Sequence, residues 1–125
     1  MTHEIETMRM AQAMASHAAR RQALVSDNIA RADIPGARAR DLPAFAETYR
    51  LARAGERPTP GAPTGTALPP PRPVERGGPL SPSGGNVSLE REMFALADVK
   101  SQHDMALTVW KKSLDLLRLS LGRNR

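Results

Sequence analysis

Hydrophobic and polar positions repeat with a helical period in two stretches, one at each end of the chain. In residues 3–32, apolar or small side chains recur at spacings of three and four, as they do along the packed seam of a helix. The seam positions are Met8, Ala11, Ala15, Ala18, Gln22, Val25 and Ile29. Good helix formers fill most of the other positions. The pattern predicts an N-terminal helix over residues 1–33 whose seam is lined mostly by alanine.

The second stretch, residues 87–122, has a longer and more apolar seam. Its spacings alternate between four and three without a break: Leu89, Met93, Leu96, Lys100, His103, Leu107, Trp110, Leu114, Leu117 and Leu121. Ser88 suits an N-cap, Glu90 suits the positive end of the helix dipole, and Gly122 suits a C-cap. We expect one helix here that packs on the N-terminal helix. Further apolar residues lie outside the seam, so part of the surface should face another partner: Val99, Ala106, Leu116 and Leu119.

The middle of the chain has a different composition. Nine prolines and few large apolar residues occur between Ala54 and Gly85, so this part cannot bury enough surface to offset its ordering entropy. We expect residues 34–53 to form a turn and a short helical segment, and residues 54–86 to form a flexible region. The predicted fold is mainly α: long N- and C-terminal helices in an α-helical hairpin or coiled coil, with an irregular Pro/Gly-rich middle.

Two helices joined through such a connection form a weak unit. Ordering one residue costs about 1–2 kcal/mol of backbone entropy, and an alanine seam buries little area for each contact. We therefore expect a chain that is marginally stable alone and that completes its seams with other molecules.

Composition and charge exclude several classes of chemical function. The chain has no cysteine, which excludes disulfides and thiolate chemistry. Its net charge of +5 is spread along the chain, unlike the concentrated basic stripe expected for nucleic acid. No stretch is long and apolar enough for a membrane span, and the N-terminus does not resemble a cleaved secretory signal. Three scattered histidines do not make a metal site, and no nucleophile has a base beside it. We expect neither catalysis nor a cofactor.

The stretch SDNIARADIPG, residues 26–36, resembles the motif of the axial proteins of the bacterial flagellum, the rod, hook and hook-associated subunits. In that family, Asn-Ile-Ala-Asn-x-x-Thr-Pro-Gly-Tyr marks the end of the N-terminal helix. The matching residues are Asn28, Ile29, Ala30, Pro35 and Gly36. The departures are Arg31, Ile34 and Ala37, where the family has Asn, Thr and an aromatic residue.

The turn also has a direct physical interpretation. Asn28 and Asp33 carry short polar side chains that can bond to nearby backbone. Pro35 should end the helix, because it pushes the preceding residue toward extended geometry, and Gly36 permits positive φ. Together these residues predict a fixed exit of the chain from the helix, and we assign them as an assembly motif.

Two more segments extend the resemblance. The run ARARD, residues 37–41, is similar to a Lys-Ala-Arg-Asp run of proximal rod proteins. The segment GGNVSLEREMFALAD, residues 84–98, is similar to the Gly-Asn-x-Val-x-Leu-Glu-x-Glu-Met segment that opens the C-terminal helix of rod subunits. A short chain with no large inserted β-domain also fits the proximal rod.

The resemblance implies a structural subunit of the periplasmic rod of the flagellar basal body, part of the drive shaft that carries torque from motor to hook. It implies export through the flagellar type III apparatus without a cleaved signal. The implied partners are copies of the chain itself, the other proximal rod proteins, the MS-ring adaptor and the export gate.

Two other classes of function stay open at this point. One is a small basic helical adaptor or nucleic-acid-binding protein with a Pro-rich linker. The other is an exported regulator or chaperone of the flagellar type III system. Binding to DNA should weaken steeply with salt, whereas association through apolar seams should not.

Overall fold

The computed structural model describes residues 2–55 and 71–122. Within them the chain forms three helices and two short strands. The elements in chain order are α1 (Thr2–Ala30), β1 (Arg40–Asp41), α2 (Phe45–Gly55), β2 (Val74–Glu75) and α3 (Leu89–Gly122). The two long helices, α1 and α3, pack against each other. The predicted mainly helical hairpin with an irregular middle is therefore confirmed.

The two long helices run antiparallel in a constant register. Asn28 of α1 bonds Glu92 of α3, and His17 of α1 bonds Gln102 of α3. As the residue number falls along α1, it rises by almost the same amount along α3. The connection end of the hairpin therefore lies at Asn28 and Glu92, and the open end lies at the start of α1 and the end of α3.

Small side chains line the contact between the helices. On α1, Ala11, Ala18 and Val25 are buried, and Met8 and Ala15 are half-buried. On α3, the buried residues recur at heptad-related spacings: Glu92, Ala95, Val99, Ala106 and Ser113. Alanine and serine let two backbones approach closely, but each contact removes little apolar area from water. The apolar core between the two helices is therefore small.

The predicted seam of α3 is wrong as the contact with α1. Leu89, Met93, Leu107, Trp110 and Leu121 are exposed, and Leu96, Leu114 and Leu117 are only half-buried. Lys100 and His103, predicted on the same seam, are exposed as well. The true contact lies about one residue to the N-terminal side of each predicted position, because the small residues there fit the alanine face of α1. The large apolar residues are left on the outside.

Part of the middle region is ordered by pairing. Strands β1 and β2 are antiparallel, with Arg40 opposite Glu75 and Asp41 opposite Val74. Residues 71–86 therefore follow a defined path, and the prediction of a flexible region over 54–86 is wrong for its last part. It is also wrong for residues 54 and 55, which belong to α2. The rest of that prediction falls on residues 56–70, which lie outside the described residues. The short helix predicted within residues 34–53 is α2, which begins at Phe45 and ends at Gly55.

Two further features concern the helices themselves. Ser88 occupies the N-cap position of α3, since its carbonyl accepts the amide of Glu92 at 3.0 Å. Within residues 2–55 and 71–122, no helix has the length and apolar character that a membrane crossing requires.

A candidate assembly site at the connection end of the hairpin

Six polar side chains from five parts of the chain meet where the hairpin is closed. We call them the connection cluster: Arg21, Asn28, Asp41, Arg76, Asn86 and Glu92. They come from α1, β1, the residue after β2, the approach to α3, and the first turn of α3. Asn28, Glu92 and Asn86 are buried, so this end of the molecule has a polar core.

Asn28 joins three of these parts through its side-chain amide. Its Nδ2 donates to the carbonyl of Arg40 at 2.8 Å, and its Oδ1 accepts the amide of Arg40 at 3.0 Å. The same Nδ2 lies 3.2 Å from Oε2 of Glu92. Asn28 thereby bonds both the amide and the carbonyl of Arg40, as a neighbouring strand would. Through Glu92 the same side chain also connects this strand to α3.

Arg76 bridges two carboxylates. One of its guanidinium nitrogens donates to Oε1 of Glu92, and another donates to Oδ2 of Asp41 at 2.8 Å. The side chain of Glu92 is only 1 % exposed, so its charge lies away from water. A buried charge is tolerable when it is paired and hydrogen-bonded, and Arg76 with Asn28 supplies both conditions.

Arg21 completes the cluster on the side of α1. Its Nε donates to Oδ1 of Asp41 at 2.9 Å, and its guanidinium also binds Asp98 of α3. Burial alone would raise the pKa of Asp41, but the hydrogen bonds from Arg21 and Arg76 hold it below its ordinary value. Burial likewise acts to lower the pKa of Arg21, and the bonds to Asp41 and Asp98 outweigh it, so that this pKa is raised.

Asn86 fixes the chain that leads into α3. Its Oδ1 accepts the amide of Ala39 at 2.7 Å, and its Nδ2 donates to the carbonyl of Arg76 at 2.6 Å. Its own amide donates to the carbonyl of Ala37 at 3.0 Å. The preceding Gly85 lies so close to Ala37 that a Cβ there would come within 2.8 Å of the carbonyl oxygen. Only glycine fits at that position.

The predicted assembly motif divides between this cluster and the surface. Asn28 is at the centre of the cluster, and Ile29 is half-buried. Four other motif residues are exposed: Ala30, Asp33, Pro35 and Gly36. Asp33 makes no side-chain hydrogen bond within the described residues, so the expected backbone contact holds for Asn28 and not for Asp33.

Pro35 has a different task from the one predicted. Helix α1 ends at Ala30, five residues earlier, so Pro35 does not terminate it. The amide of Ala37 bonds the carbonyl of Ile34 at 3.2 Å, and Gly36 has φ of +79°. Proline followed by a glycine at positive φ is the arrangement of a type II turn. The pair reverses the chain and delivers Ala37 and Ala39 to Asn86.

A cleft lies beside the cluster, on the side where α2 begins. It has a volume of about 330 Å³ and is lined by residues of α1, α3, the β1–α2 connection and the start of α2, among them His17, Gln102 and Phe45. Nε2 of His17 donates to the carbonyl of Pro43 at 2.9 Å, which leaves Nδ1 to accept from Gln102 at 2.9 Å. The ring of Phe45 meets His17 edge-on at 5.5 Å. His17 thereby fastens the start of α2 to the hairpin.

Sequence reasoning missed most of the connection cluster. The sequence marks Glu92 only as part of the motif that opens the C-terminal helix, whereas the residue is buried. Arg76 lies in a segment that reads as flexible, and Asn86 was noticed only as part of a motif. One signal was present: Arg76 is the single basic residue between Val74 and Leu89. Within residues 2–55 and 71–122, no group of three potential metal ligands converges.

Comparison with protein-family models and with curated proteins finds no match to this chain.

Proposed function

We propose that this chain is a structural subunit of the proximal rod of the bacterial flagellar basal body, of the FlgB kind. Its terminal helices would pack among copies of itself and among other proximal rod proteins. It would reach the periplasm through the type III export apparatus without a cleaved signal, near the export gate and the MS-ring adaptor.

One observation carries the proposal. Of the three segments that resemble rod proteins, residues 26–36 and 37–41 adjoin and residues 84–98 lie far along the chain, yet each contributes to the connection cluster. Asn28 comes from the first segment, Arg40 and Asp41 from the second, and Asn86 and Glu92 from the third. If the resemblance arose by chance, the resembling segments would have no reason to meet in space. If the motif encodes a local structure, they are expected to meet.

This local structure suits a subunit that must repeat. The cluster fixes how the chain leaves α1, how it enters α3, and how the two helices are aligned. Every copy therefore offers its neighbours the same surfaces, which a closed or helical assembly requires. The exposed leucines of α3 supply apolar surface for such contacts.

The decisive experiment is the location of the protein. We expect it in the rod fraction of isolated basal bodies, and we expect loss of the gene to remove both hook and filament. A deletion strain that still makes filaments would contradict the rod assignment and favour an exported regulator or chaperone. Binding of the purified chain to DNA that falls steeply with salt would favour the nucleic-acid alternative.

A second experiment tests the helix surface. Replacing Leu107 or Leu114 with Asp should abolish assembly and motility, because a carboxylate would be buried between subunits. Replacing the exposed Gln12 of α1 with Asp is a matched control that should leave motility intact. Normal swimming of both leucine variants would contradict a packing role for this face.

A further inference from the structure

Arg31, a residue that departs from the resembled motif, bonds both sides of the turn that follows α1. We call residues 31–36 the exit turn. The Nε of Arg31 donates to Oδ2 of Asp27 at 3.0 Å. One of its terminal nitrogens lies 3.3 Å from Oδ1 of Asn28 and 3.4 Å from the carbonyl oxygen of Arg38. The guanidinium therefore connects the end of the helix with the segment that returns from the turn.

The bond from Arg31 completes the hydrogen-bonding capacity of Asn28. An asparagine side chain offers two N–H donors and two acceptor lone pairs. Its Nδ2 donates to the carbonyl of Arg40 and to Glu92, and its Oδ1 accepts the amide of Arg40. The remaining lone pair of Oδ1 accepts from Arg31. Asn28 is fully buried, and a buried acceptor that loses its partner destabilises the fold.

The returning segment, residues 37–41, has two backbone edges. Successive residues of an extended chain direct their amide and carbonyl groups to opposite edges. The carbonyl of Ala37 accepts the amide of Asn86 at 3.0 Å, and the carbonyl of Ala39 accepts the amide of Arg76 at 2.7 Å. This edge is thus covered by backbone pairing on the side of β2.

Side chains cover the opposite edge. Asn28 bonds the amide and the carbonyl of Arg40, and Arg31 bonds the carbonyl of Arg38. In the part of the chain that the structure describes, the sheet consists of β1 and β2 alone, so no third strand lies along this edge. Arg31 thereby extends to residue 38 the pairing that Asn28 provides at residue 40.

Asp27 gives the guanidinium of Arg31 a fixed direction. The donors of a guanidinium lie in one plane at fixed angles, so the bond from Nε to Asp27 restricts where the terminal nitrogens point. The Asp27 side chain is 58 % exposed, and such an ion pair contributes little stability by itself. Its effect is on orientation. A lysine ammonium has no such plane and would not hold the same acceptors together.

We infer that Arg31 is a positioning residue of the assembly motif. Its guanidinium, directed by Asp27, fixes the side-chain amide of Asn28 and holds the carbonyl of Arg38, so that the chain leaves α1 along a single path. The inference rests on the proposed function only for the use of this path in assembly. The positioning itself is a property of the free chain.

Hydrogen exchange of two side-chain amides separates positioning from general stability. Asn28 and Asn86 both carry NH₂ groups that donate within the connection cluster, and of the two only Asn28 is bonded to Arg31. In the ¹⁵N-labelled full chain, Arg31→Ala should raise the exchange rate of the Asn28 NH₂ protons roughly fivefold, the effect of one hydrogen bond. The Asn86 protons, measured in the same spectra, should be unaffected.

Three variants serve as comparisons for Arg31→Ala. Arg31→Lys keeps the charge and should give an intermediate rate for Asn28. Asp27→Ala should raise that rate by a smaller factor, because the guanidinium remains but loses its fixed direction. Arg20→Ala removes an exposed arginine of α1 that forms no ion pair within the described residues, and it should change neither asparagine.

The outcomes separate this inference from the proposed function. Equal acceleration of the Asn28 and Asn86 protons by Arg31→Ala, or no acceleration of the Asn28 protons, would overturn the positioning role and leave the rod assignment untouched. A selective effect in a protein that is absent from basal bodies would support the positioning role while the rod assignment fails. For a protein found in the rod, Arg31→Ala should reduce the number of hooks per cell, and an unchanged number would overturn the link from this turn to assembly.

Discussion

Glu92 carries a charged side chain that is buried, and it is stable there only because its oxygens accept hydrogen bonds. Arg76 and Asn28 supply one hydrogen bond each. Removing one member of such a pair leaves an uncompensated buried charge, which costs more than the pair itself contributes. The consequence is that Arg76, from a Pro/Gly-rich segment, matters more to the hairpin than most residues of the helices.

Replacing Arg76 with Met should therefore lower the free energy of unfolding by about 3 kcal/mol. The double variant Arg76→Met/Glu92→Gln should recover part of this loss, because a neutral amide needs no counter-charge and can still bond Asn28. Urea denaturation followed by circular dichroism gives both values. A double variant less stable than Arg76→Met would contradict the buried-charge explanation.

Asp41 makes stability depend on pH in a defined direction. Its pKa is lower in the folded chain than in the unfolded chain, so the folded state favours the ionised form. The resulting stabilisation is fully present above the unfolded pKa, near 4, and is lost as the pH falls through the lower folded pKa. We expect the urea midpoint to fall below about pH 4. Asp41→Asn should make this fall shallower; an unchanged pH profile would show that Asp41 does not contribute.

At the scale of elements, the two faces of α3 differ in the size of their side chains. The face toward α1 has alanine, valine and serine, and the outer face has leucine, methionine and tryptophan. A helix pair with small contact residues is closely spaced and tolerates little added volume. The two helices are thus held together by close packing of small side chains, with few large side chains between them.

Replacing the buried Ala106 with Leu should destabilise the hairpin by about 1–3 kcal/mol, because overpacking forces the helices apart. Replacing the exposed Ala97 with Leu should change stability by less than about 0.5 kcal/mol. The two variants introduce the same side chain into the same helix, so a thermal melt of each isolates the effect of position. Equal melting temperatures would mean that the contact face of α3 is assigned wrongly.

Substitution of Gly85 tests how closely the segment that leads into α3 approaches the turn at Pro35 and Gly36. An added Cβ would collide with the backbone of Ala37, which cannot move aside as a side chain can. Gly85→Ala should therefore be strongly destabilising, by roughly 2 kcal/mol or more. Gly77→Ala adds the same methyl group in open space and should be neutral or slightly stabilising. Both are measured by urea denaturation.

The sequence predicts the helices of this fold better than their contacts. The limits of α3 follow from periodicity and capping, since Ser88 and Gly122 mark them, whereas α1 ends at Ala30, short of the predicted residue 33. The contact face of α3 could not be chosen that way, because its small residues recur with the same period as its leucines. Hydrophobicity identifies the apolar face of the helix, but it does not identify the molecule that packs against this face. The cluster around Glu92 could not be predicted from the sequence, because its members pair across long sequence separations.

For the whole molecule, the pairing of β1 with β2 brings the two ends of the middle region together. No contact described above involves residues 58–70, so we expect the hairpin to keep its stability when they are deleted. Deleting residues 58–80 also removes β2 and Arg76, and it should destabilise the chain by several kcal/mol, comparable to breaking a buried ion pair. Equal stability of the two truncated chains would show that Arg76 is dispensable.

The connection cluster also sets the order in which the molecule can complete its structure. Asn28, Asp41 and the turn at Pro35 come early in the chain, whereas Arg76, Asn86 and Glu92 come late. In a polypeptide that leaves a ribosome or a narrow channel amino end first, Asn28 can bond Arg40 early, but its bond to Glu92 cannot form until residue 92 has emerged. Contacts of such long sequence separation form slowly in any case. The bonds that join α1 to α3 therefore form only after about three quarters of this chain has emerged, beginning with the bond from Asn28 to Glu92.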